Sequence, residues 1–410
     1  MIKQLSGNIV IYGFTNALRV VVPFLMLPIL TTYLTTTEFG LLSMIETTIL
    51  FLFPFISLNI FSGISVEYYK LKKEELRHYI SNAFLLSLLS FIFFMMLAYV
   101  FRATFEKSFS IPIMLVLSLP IFAVLRLSSQ VVLSLLQMSN NPKYFAILVS
   151  IQTLVDFALS YLLVVMYTEG YWGRLAGIYI AYIIASIISI IYLYQKKYLG
   201  IFTFIYSSKI LRYTLPLIPH VIGGVVIAMS DRYFIAYYVN NEVLAYYTVA
   251  YQLASVMLLL SVSVNQAWTP LLYRFLKEGN SGKKILNYSM GLMILFVLFG
   301  IIVSVSEDIL FYFFVDEKFH QAKEYYLWLL IGFIFQSLYF LVTNFLFYES
   351  RTKTLALITF LGALVNLCLN YVLIQQYGTI GVAYATTITW VLFFIVTLSI
   401  NILWYTRRDV

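Results

Sequence analysis

The feature that most constrains this chain is a series of apolar runs, each long enough to cross a bilayer as a helix and separated from the next by a short polar connection. About twenty apolar residues cover the hydrocarbon core. No water is available there to bond the backbone, so each run must satisfy its own N–H and C=O groups, which a helix does. Twelve spans are read at roughly 8–32, 41–65, 79–101, 111–138, 144–167, 175–195, 211–236, 243–265, 285–305, 323–348, 354–376 and 379–404. The longest non-apolar stretch, about Gln266 to Ile285, is too short for a soluble domain. Composition agrees, with 62% hydrophobic residues and only 11% charged ones. A water-soluble chain of 410 residues has no way to hide that much apolar surface. The first run, Ile9 to Leu30, is too long for a signal-peptide core and lacks a small-residue cleavage site, so it is expected to stay in the mature protein. The expected fold class is therefore an all-α integral membrane protein with about twelve transmembrane helices.

The second half repeats the first. Asn141-Pro142-Lys143 opens a run containing Asp156, Ser160 and Tyr161; Arg351-Thr352-Lys353 opens another containing Asn366, Asn370 and Tyr371, every position shifted by 210. Upstream, Tyr33-Leu34-Thr35-Thr36-Thr37-Glu38-Phe39-Gly40 matches Tyr238-Val239-Asn240-Asn241-Glu242-Val243-Leu244-Ala245, shifted by 205. Two similar apolar halves imply two similar six-helix lobes, expected at residues 1–200 and 201–410. An even number of spans per half brings both halves in from the same side, so the repeats are parallel. A pathway that opens alternately to each side lies naturally between two such lobes.

The basic residues give the orientation. With the N-terminus inside, inner segments hold eighteen of the 26 Lys and Arg, while outer segments hold six: Arg102, Lys107, Arg174, Arg232, Lys318 and Lys323. This bias predicts cytoplasmic N- and C-termini and explains most of the +8 net charge, leaving no need for a nucleic-acid partner. The single cysteine, Cys368, excludes an intrachain disulfide and a cysteine-based metal cluster, and His78, His220 and His320 lie too far apart in sequence to favour a metal site. No metal and no resident cofactor is expected. Residues Ala267 to Lys284 read either as a short interfacial helix or as a loop.

Ionisable residues inside a membrane are costly and mark function. Four stand out, Arg19, Glu46, Arg126 and Asp156, all in the first half. Their repeat partners Gly224, Tyr251, Gln336 and Asn366 are neutral, so the first lobe is expected to do the ionic work and the second to offer hydrogen bonds and aromatic surface. Polar residues at helical spacing accompany the charges: Asn8, Tyr12, Thr15, Asn16 and Arg19 in span one; Arg126, Gln130, Ser134 and Gln137 in span four; Thr153, Asp156 and Ser160 in span five. Such stripes suit a wet cavity, although Arg126 and Asp156 also qualify as a buried pair locking spans four and five. Asp231-Arg232 reads as an interfacial ion pair near the outer end of span seven. Pro23 and Pro28 in span one and Pro216 and Pro219 in span seven make the first helix of each repeat bendable, which fits a gate.

The blocks Asn8-Ile9-Val10-Ile11-Tyr12-Gly13, Pro28-Ile29-Leu30-Thr31-Thr32-Tyr33-Leu34 and Glu38-Phe39-Gly40-Leu41 resemble the opening of bacterial polysaccharide flippases of the Wzx or RfbX type. These belong to the MOP superfamily, with the MATE drug exporters and the lipid II flippase, and the resemblance runs through the doubled repeat over essentially the whole chain. Where that family often places an Arg before paired aromatics, this chain has Glu67-Tyr68-Tyr69, so no phosphate role is carried to that position. The resemblance implies a non-enzymatic, O-antigen-type flippase of the bacterial cytoplasmic (inner) membrane. It would move undecaprenyl-diphosphate-linked oligosaccharides to the outer leaflet, with membrane lipids and other polysaccharide-assembly proteins as further partners.

On that reading Arg19, Arg126, Asn16, Gln130, Gln336, Asn344 and Tyr251 are expected to bind substrate. Asp156 and Glu46 are expected to couple transport to H+ or Na+ as in an antiporter, with Asp156 holding or releasing the arginines. A drug or metabolite exporter of the same superfamily is the alternative; two mid-depth Arg against one Asp favour an anionic cargo. A major-facilitator transporter is disfavoured because residues 66–78 lack a Gly/Asp/Arg-rich motif, and a glycan polymerase because the longest outer loop, about Ser306 to Ala322, is short.

Overall fold

A computed structural model describes residues 2–278, 282–349 and 351–406; the side chains of 2–10, 12–14, 16, 20, 220, 352 and 404–406 fall outside that description. Every regular element among the described residues is helical. Eleven helices are long and apolar enough to cross a membrane, and the apolar stretch Ala17–Tyr33 of the first helix joins them. The chain is a multi-pass all-α membrane protein with the expected two-lobe organisation.

The chain divides into two compact units, Met1–Ile222 and Gly223–Val410. The first contains α1 (Ile2–Tyr33), α2 (Thr36–Ser57), α3 (Ile60–Glu67), α4 (Lys73–Phe109), α5 (Ile113–Met138), α6 (Pro142–Tyr161), α7 (Gly170–Gln195) and the short α8 (Ser207–Thr214). A π-helical turn, Leu162–Met166, extends α6. The helix α9 (Leu217–Tyr238) crosses the division, and α10 (Asn241–Ala254), α11 (Val256–Lys277), α12 (Gly282–Val305), α13 (Glu307–Phe314), α14 (Lys323–Tyr348), α15 (Thr352–Tyr377) and α16 (Thr379–Thr406) complete the second unit.

The repeat has a local physical basis. Thr35 caps α2 by accepting from the Glu38 amide at 3.2 Å, while Glu38 accepts from the Thr35 amide at 2.9 Å. At the equivalent position Asn240 caps α10, accepting from the Val243 amide at 2.8 Å. α6 and α15 start at Pro142 and Thr352, the shift of 210 seen in the sequence. A Cβ on Gly173 would stand 3.0 Å from the Leu163 backbone, and one on Gly381 would collide with the backbone of Leu373, the counterpart of Leu163. The α6–α7 and α15–α16 hairpins therefore each close where a glycine lets backbones approach.

In the first unit α6 packs on α1 and α7, and α5 packs on α2, α4 and α7. The buried side chains include Met26, Leu27, Met44, Ile45, Ile56 and Tyr79. Span two is interrupted: Leu58 (φ 46°) and Asn59 (φ 53°) stop α2 and let α3 restart. The segment after α7 is held to this unit. Lys209 Nζ donates to Glu67 at 2.6 Å, Asn82 donates to Ser207 at 3.2 Å, and Ser81 accepts from the Gly200 amide at 2.8 Å. These bonds explain why the division falls at Ile222/Gly223 rather than at the expected 200/201.

In the second unit α16 packs on α14 and α15, and α10 on α14, around Tyr247, Phe296, Phe319 and Tyr326. Ala267–Lys277 is neither a separate interfacial helix nor a loop. It is the end of α11, with Trp268 and Leu272 buried.

α1 runs without a break through Pro23 and Pro28, and the hydroxyl of Thr32 donates to the Pro28 carbonyl at 2.8 Å. Pro216 behaves differently. It lies in the turn between α8 and α9, while Pro219 sits in the first turn of α9, where a missing N–H costs nothing.

Candidate functional site

Membrane helices turn apolar faces to lipid and keep polar side chains for one another or for a water-filled cavity, so a cleft lined by polar side chains is a candidate site. In the first unit a cleft of about 450 Å³ is lined by Arg19 from α1, Ser62 and Ser65 from α3, Gln130, Ser134 and Gln137 from α5, and Phe61 and Phe145. That volume lies within the range of small-molecule sites. It sits toward the end of the unit where α3 and α5 finish and α6 begins.

The stripe read from α5 faces this cleft. Arg126 continues it one turn beyond Gln130, with its guanidinium 4.6 Å from the Phe53 ring centre. Phe53 stacks on cleft-lining Phe61 at 6.1 Å. Arg19 is exposed, 5.6 Å from the Phe145 ring centre. The two guanidinium groups are close enough to act on one another electrostatically. Neither forms an ion pair among the described residues, Arg126 Nε is buried without a hydrogen-bond partner, and no carboxylate lines the cleft among the described residues. Aromatic faces partly offset the desolvation of the cations, but two like charges without a counter-ion leave a positive field focused on the cleft. Thr15 is buried and bonds back to Ile11 at 2.6 Å, so it does not join the polar lining. The expected substrate contact Asn16 lies outside the described side chains, as do Asn8 and Tyr12.

Asp156 does not pair with Arg126. Its partner is Arg174, which the sequence reading placed in an outer connection but which lies buried in the second turn of α7. Arg174 Nη1 donates to Asp156 at 2.5 Å and to Ser160 at 2.7 Å, and Nη2 stands 4.0 Å from Glu46. Glu46 and Asp156, the two expected coupling residues, are thus brought to one cation, contributed by α7 between α2 and α6. Arg174 Nε is buried without a partner. One guanidinium faces two carboxylates, so the trio carries a net negative charge when both acids are ionised.

The second unit carries a charged pair of its own. Asp231 and Arg232 form the expected ion pair and are buried in α9. Arg232 donates to Asp231 at 3.0 Å, Tyr247 donates to the same carboxylate at 2.5 Å, and the guanidinium lies 4.4 Å from the Tyr251 ring centre. The expected substrate residue Tyr251 therefore belongs to this cluster. Asn344, also expected to touch substrate, is buried and donates to Asn265 at 2.7 Å. Asn366 accepts from Ser230 at 3.0 Å and donates to Thr389 at 3.1 Å, and Asn370 donates to Asn366 at 3.1 Å. Gln336 is half-buried on α14. The amides that sequence reasoning offered to substrate are largely consumed by one another.

Comparison with known proteins places these features. A family model described as polysaccharide biosynthesis protein matches residues 5–276, and one described as MatE matches residues 216–372. An uncharacterized membrane protein of Haemophilus influenzae is 23% identical over 383 residues, covering 88% of this chain and 89% of the relative. Among solved structures, the lipid II flippase MurJ in an inward closed conformation is similar with a TM-score of 0.74 at 18% identity, over 96% of this chain and 87% of that one. An inward-facing multidrug resistance MATE transporter of the MOP superfamily gives 0.71 at 12% identity, over 95% and 98%. At these identities the likeness is one of fold.

Proposed function

The chain belongs to the polysaccharide biosynthesis protein family of MOP-superfamily transporters, and from that membership we propose that it flips undecaprenyl-diphosphate-linked oligosaccharides from the inner to the outer leaflet of the bacterial cytoplasmic membrane. The observation that carries this reading is the first-unit cleft, which sets Arg19 among hydroxyl and amide groups with Arg126 one turn beyond and no lining carboxylate among the described residues. A diphosphate cannot cross hydrocarbon unaided. Arginine offers it paired, charge-assisted hydrogen bonds that an ammonium point charge does not. The hydrocarbon tail of such a lipid needs no site and remains in the bilayer. Alternate exposure of the cleft to the two sides, with both termini cytoplasmic, completes the cycle.

Coupling is assigned to the Glu46–Arg174–Asp156 trio rather than to release of Arg126 by Asp156. A proton or sodium ion entering the trio neutralises its excess charge and loosens the hold of Asp156 on α7. Substrate binding and ion binding thus fall on different groups of the same unit.

Proteoliposomes carrying an undecaprenyl-diphosphate-linked oligosaccharide in one leaflet test the reading. Arg19→Ala and Arg126→Ala are each expected to slow translocation on the order of tenfold, the loss that removing one charge-assisted hydrogen bond entails. Full activity in both variants, or export of cationic drugs in place of the lipid, overturns it. Asp156→Asn is expected to uncouple transport from an imposed pH or sodium gradient, and the gradient that loses its effect identifies the ion.

A further inference from the structure

Amide side chains within membrane helices need partners for their donors and acceptors. Asn344 and Asn366 bond buried neighbours, Asn370 does so through its Nδ2 alone, its Oδ1 being buried without a partner, and Asn82 donates to Ser207. Gln130, Ser134 and Gln137 do not: they line the first-unit cleft, and no hydrogen bond joins their side chains to other described residues. Two primary amides and a hydroxyl on one face of a membrane helix, with their donors and acceptors unspent, are costly unless water or a ligand takes them up. They lie at helical spacing, so they present a continuous polar edge. The rings of Phe61 and Phe145 line the same cleft.

We propose that this edge reads the first sugar attached to the diphosphate, with Gln130, Ser134 and Gln137 bonding its hydroxyl rim and Phe61 and Phe145 covering its apolar C–H face. The proposal rests on the assignment of Arg19 and Arg126 to the diphosphate and deepens it by locating sugar recognition in the same unit. A carbohydrate matches both kinds of lining. Each glutamine amide supplies two donors and an acceptor for neighbouring hydroxyls, and a flat aromatic face packs on the C–H side of a pyranose. A bare phosphate or an ordinary phospholipid headgroup uses the arginines and leaves the amides unsatisfied. Selectivity for the first sugar follows, because a site built to bond hydroxyls rejects a group that lacks them far more strongly than an apolar pocket rejects a methylene.

The test measures binding of two probes to purified protein in nanodiscs: undecaprenyl diphosphate, and the same lipid bearing a single hexose. Gln130→Met and Gln137→Met keep side-chain length but remove the hydrogen bonds. Each is expected to lower the ratio of affinity for the glycosylated lipid over the bare lipid about tenfold, with Ser134→Ala having a smaller effect of about threefold. Retained binding of the bare lipid shows that the variants are folded. Arg19→Ala is expected to weaken both probes together and leave the ratio unchanged. An unchanged ratio in both glutamine variants overturns the sugar edge. Unchanged binding of both probes in Arg19→Ala overturns the diphosphate assignment instead, so the two failures are separable.

Discussion

Arg174 is the residue whose removal most directly measures how the first unit is held together. Its guanidinium is buried against Asp156 and Ser160, with Glu46 at 4.0 Å. Arg174→Met keeps most of the volume and deletes the charge, leaving Asp156 with Ser160 as its remaining bonded side chain. Removing one partner of a fully buried ion pair costs about 3–5 kcal/mol, because the other charge is stranded. Here the Asp156 side chain is 25% exposed and that of Glu46 46%, so Asp156 recovers part of its hydration and Glu46 most of it. The expected loss is therefore about 2–3 kcal/mol. Asp156→Leu alone costs less, about 1–2 kcal/mol, since Arg174 keeps Ser160 and approaches Glu46. The double variant strands neither charge and is expected to regain about 2 kcal/mol relative to the sum of the singles. Reversible unfolding in mixed micelles at fixed pH, read by tryptophan fluorescence, gives the cycle. Strict additivity, or a loss in Arg174→Met below about 0.5 kcal/mol, would refute the view of Arg174 as the clamp between α2, α6 and α7.

Other consequences concern the close helix contacts, the corrected amides and the loop between α12 and α14. Gly381→Ala is expected to cost about 1–3 kcal/mol, because the new methyl meets the Leu373 carbonyl where no flexible side chain can move aside; the same unfolding assay checks it. Asn344→Ala is expected to lower stability by about 1 kcal/mol through loss of the Asn265 bond while changing affinity for lipid-linked sugar less than twofold, measurable by melting and binding side by side. Lys323 Nζ donates to Asp308 at 2.5 Å and holds that carboxyl below its ordinary value. A depressed acid contributes stability above its unfolded value and loses it as pH falls through the folded one. The protection factor of the α13 amides, taken relative to intrinsic exchange at each pH, should therefore hold near neutrality and fall in acid. Lys323→Met should abolish that dependence, with Glu307→Gln as a control because burial raises the neighbouring Glu307 carboxyl and gives it the opposite sign.

The spans and the doubling were legible because they rest on local physics. Runs of about twenty apolar residues force helices, and the same caps recur at Thr35 and Asn240. The α5 stripe was legible too, since one helix fixes which of its own residues share a face. Pairing between helices was not. Asp156 had two arginines available at mid-depth, and its partner proved to be Arg174, which a span read at 175–195 leaves in the preceding connection. Helix α7 begins at Gly170, bringing Arg174 inside. The position of an arginine in the first turns of the next helix of a hairpin, facing an acid in the preceding helix, was the available signal. The Asp231-Arg232 pair was legible as an ion pair, but its burial was not, because Tyr247 on α10 closes over the acid. Which asparagines are spent on each other is a matter of tertiary packing that no spacing rule reveals.

Whether the cleft beside Arg19 is wet and receives the anionic headgroup can be read from a single thiol. In a Cys368→Ala background, Ser134→Cys places the only sulfhydryl on the cleft wall. A charged, membrane-impermeant methanethiosulfonate should modify it in open membranes, and undecaprenyl-diphosphate-linked sugar should slow that reaction about tenfold, the protection disappearing when Arg19 and Arg126 are both replaced by alanine. A thiol that never reacts, or one whose reaction the lipid leaves unchanged, would contradict the assignment of this cleft to the diphosphate sugar.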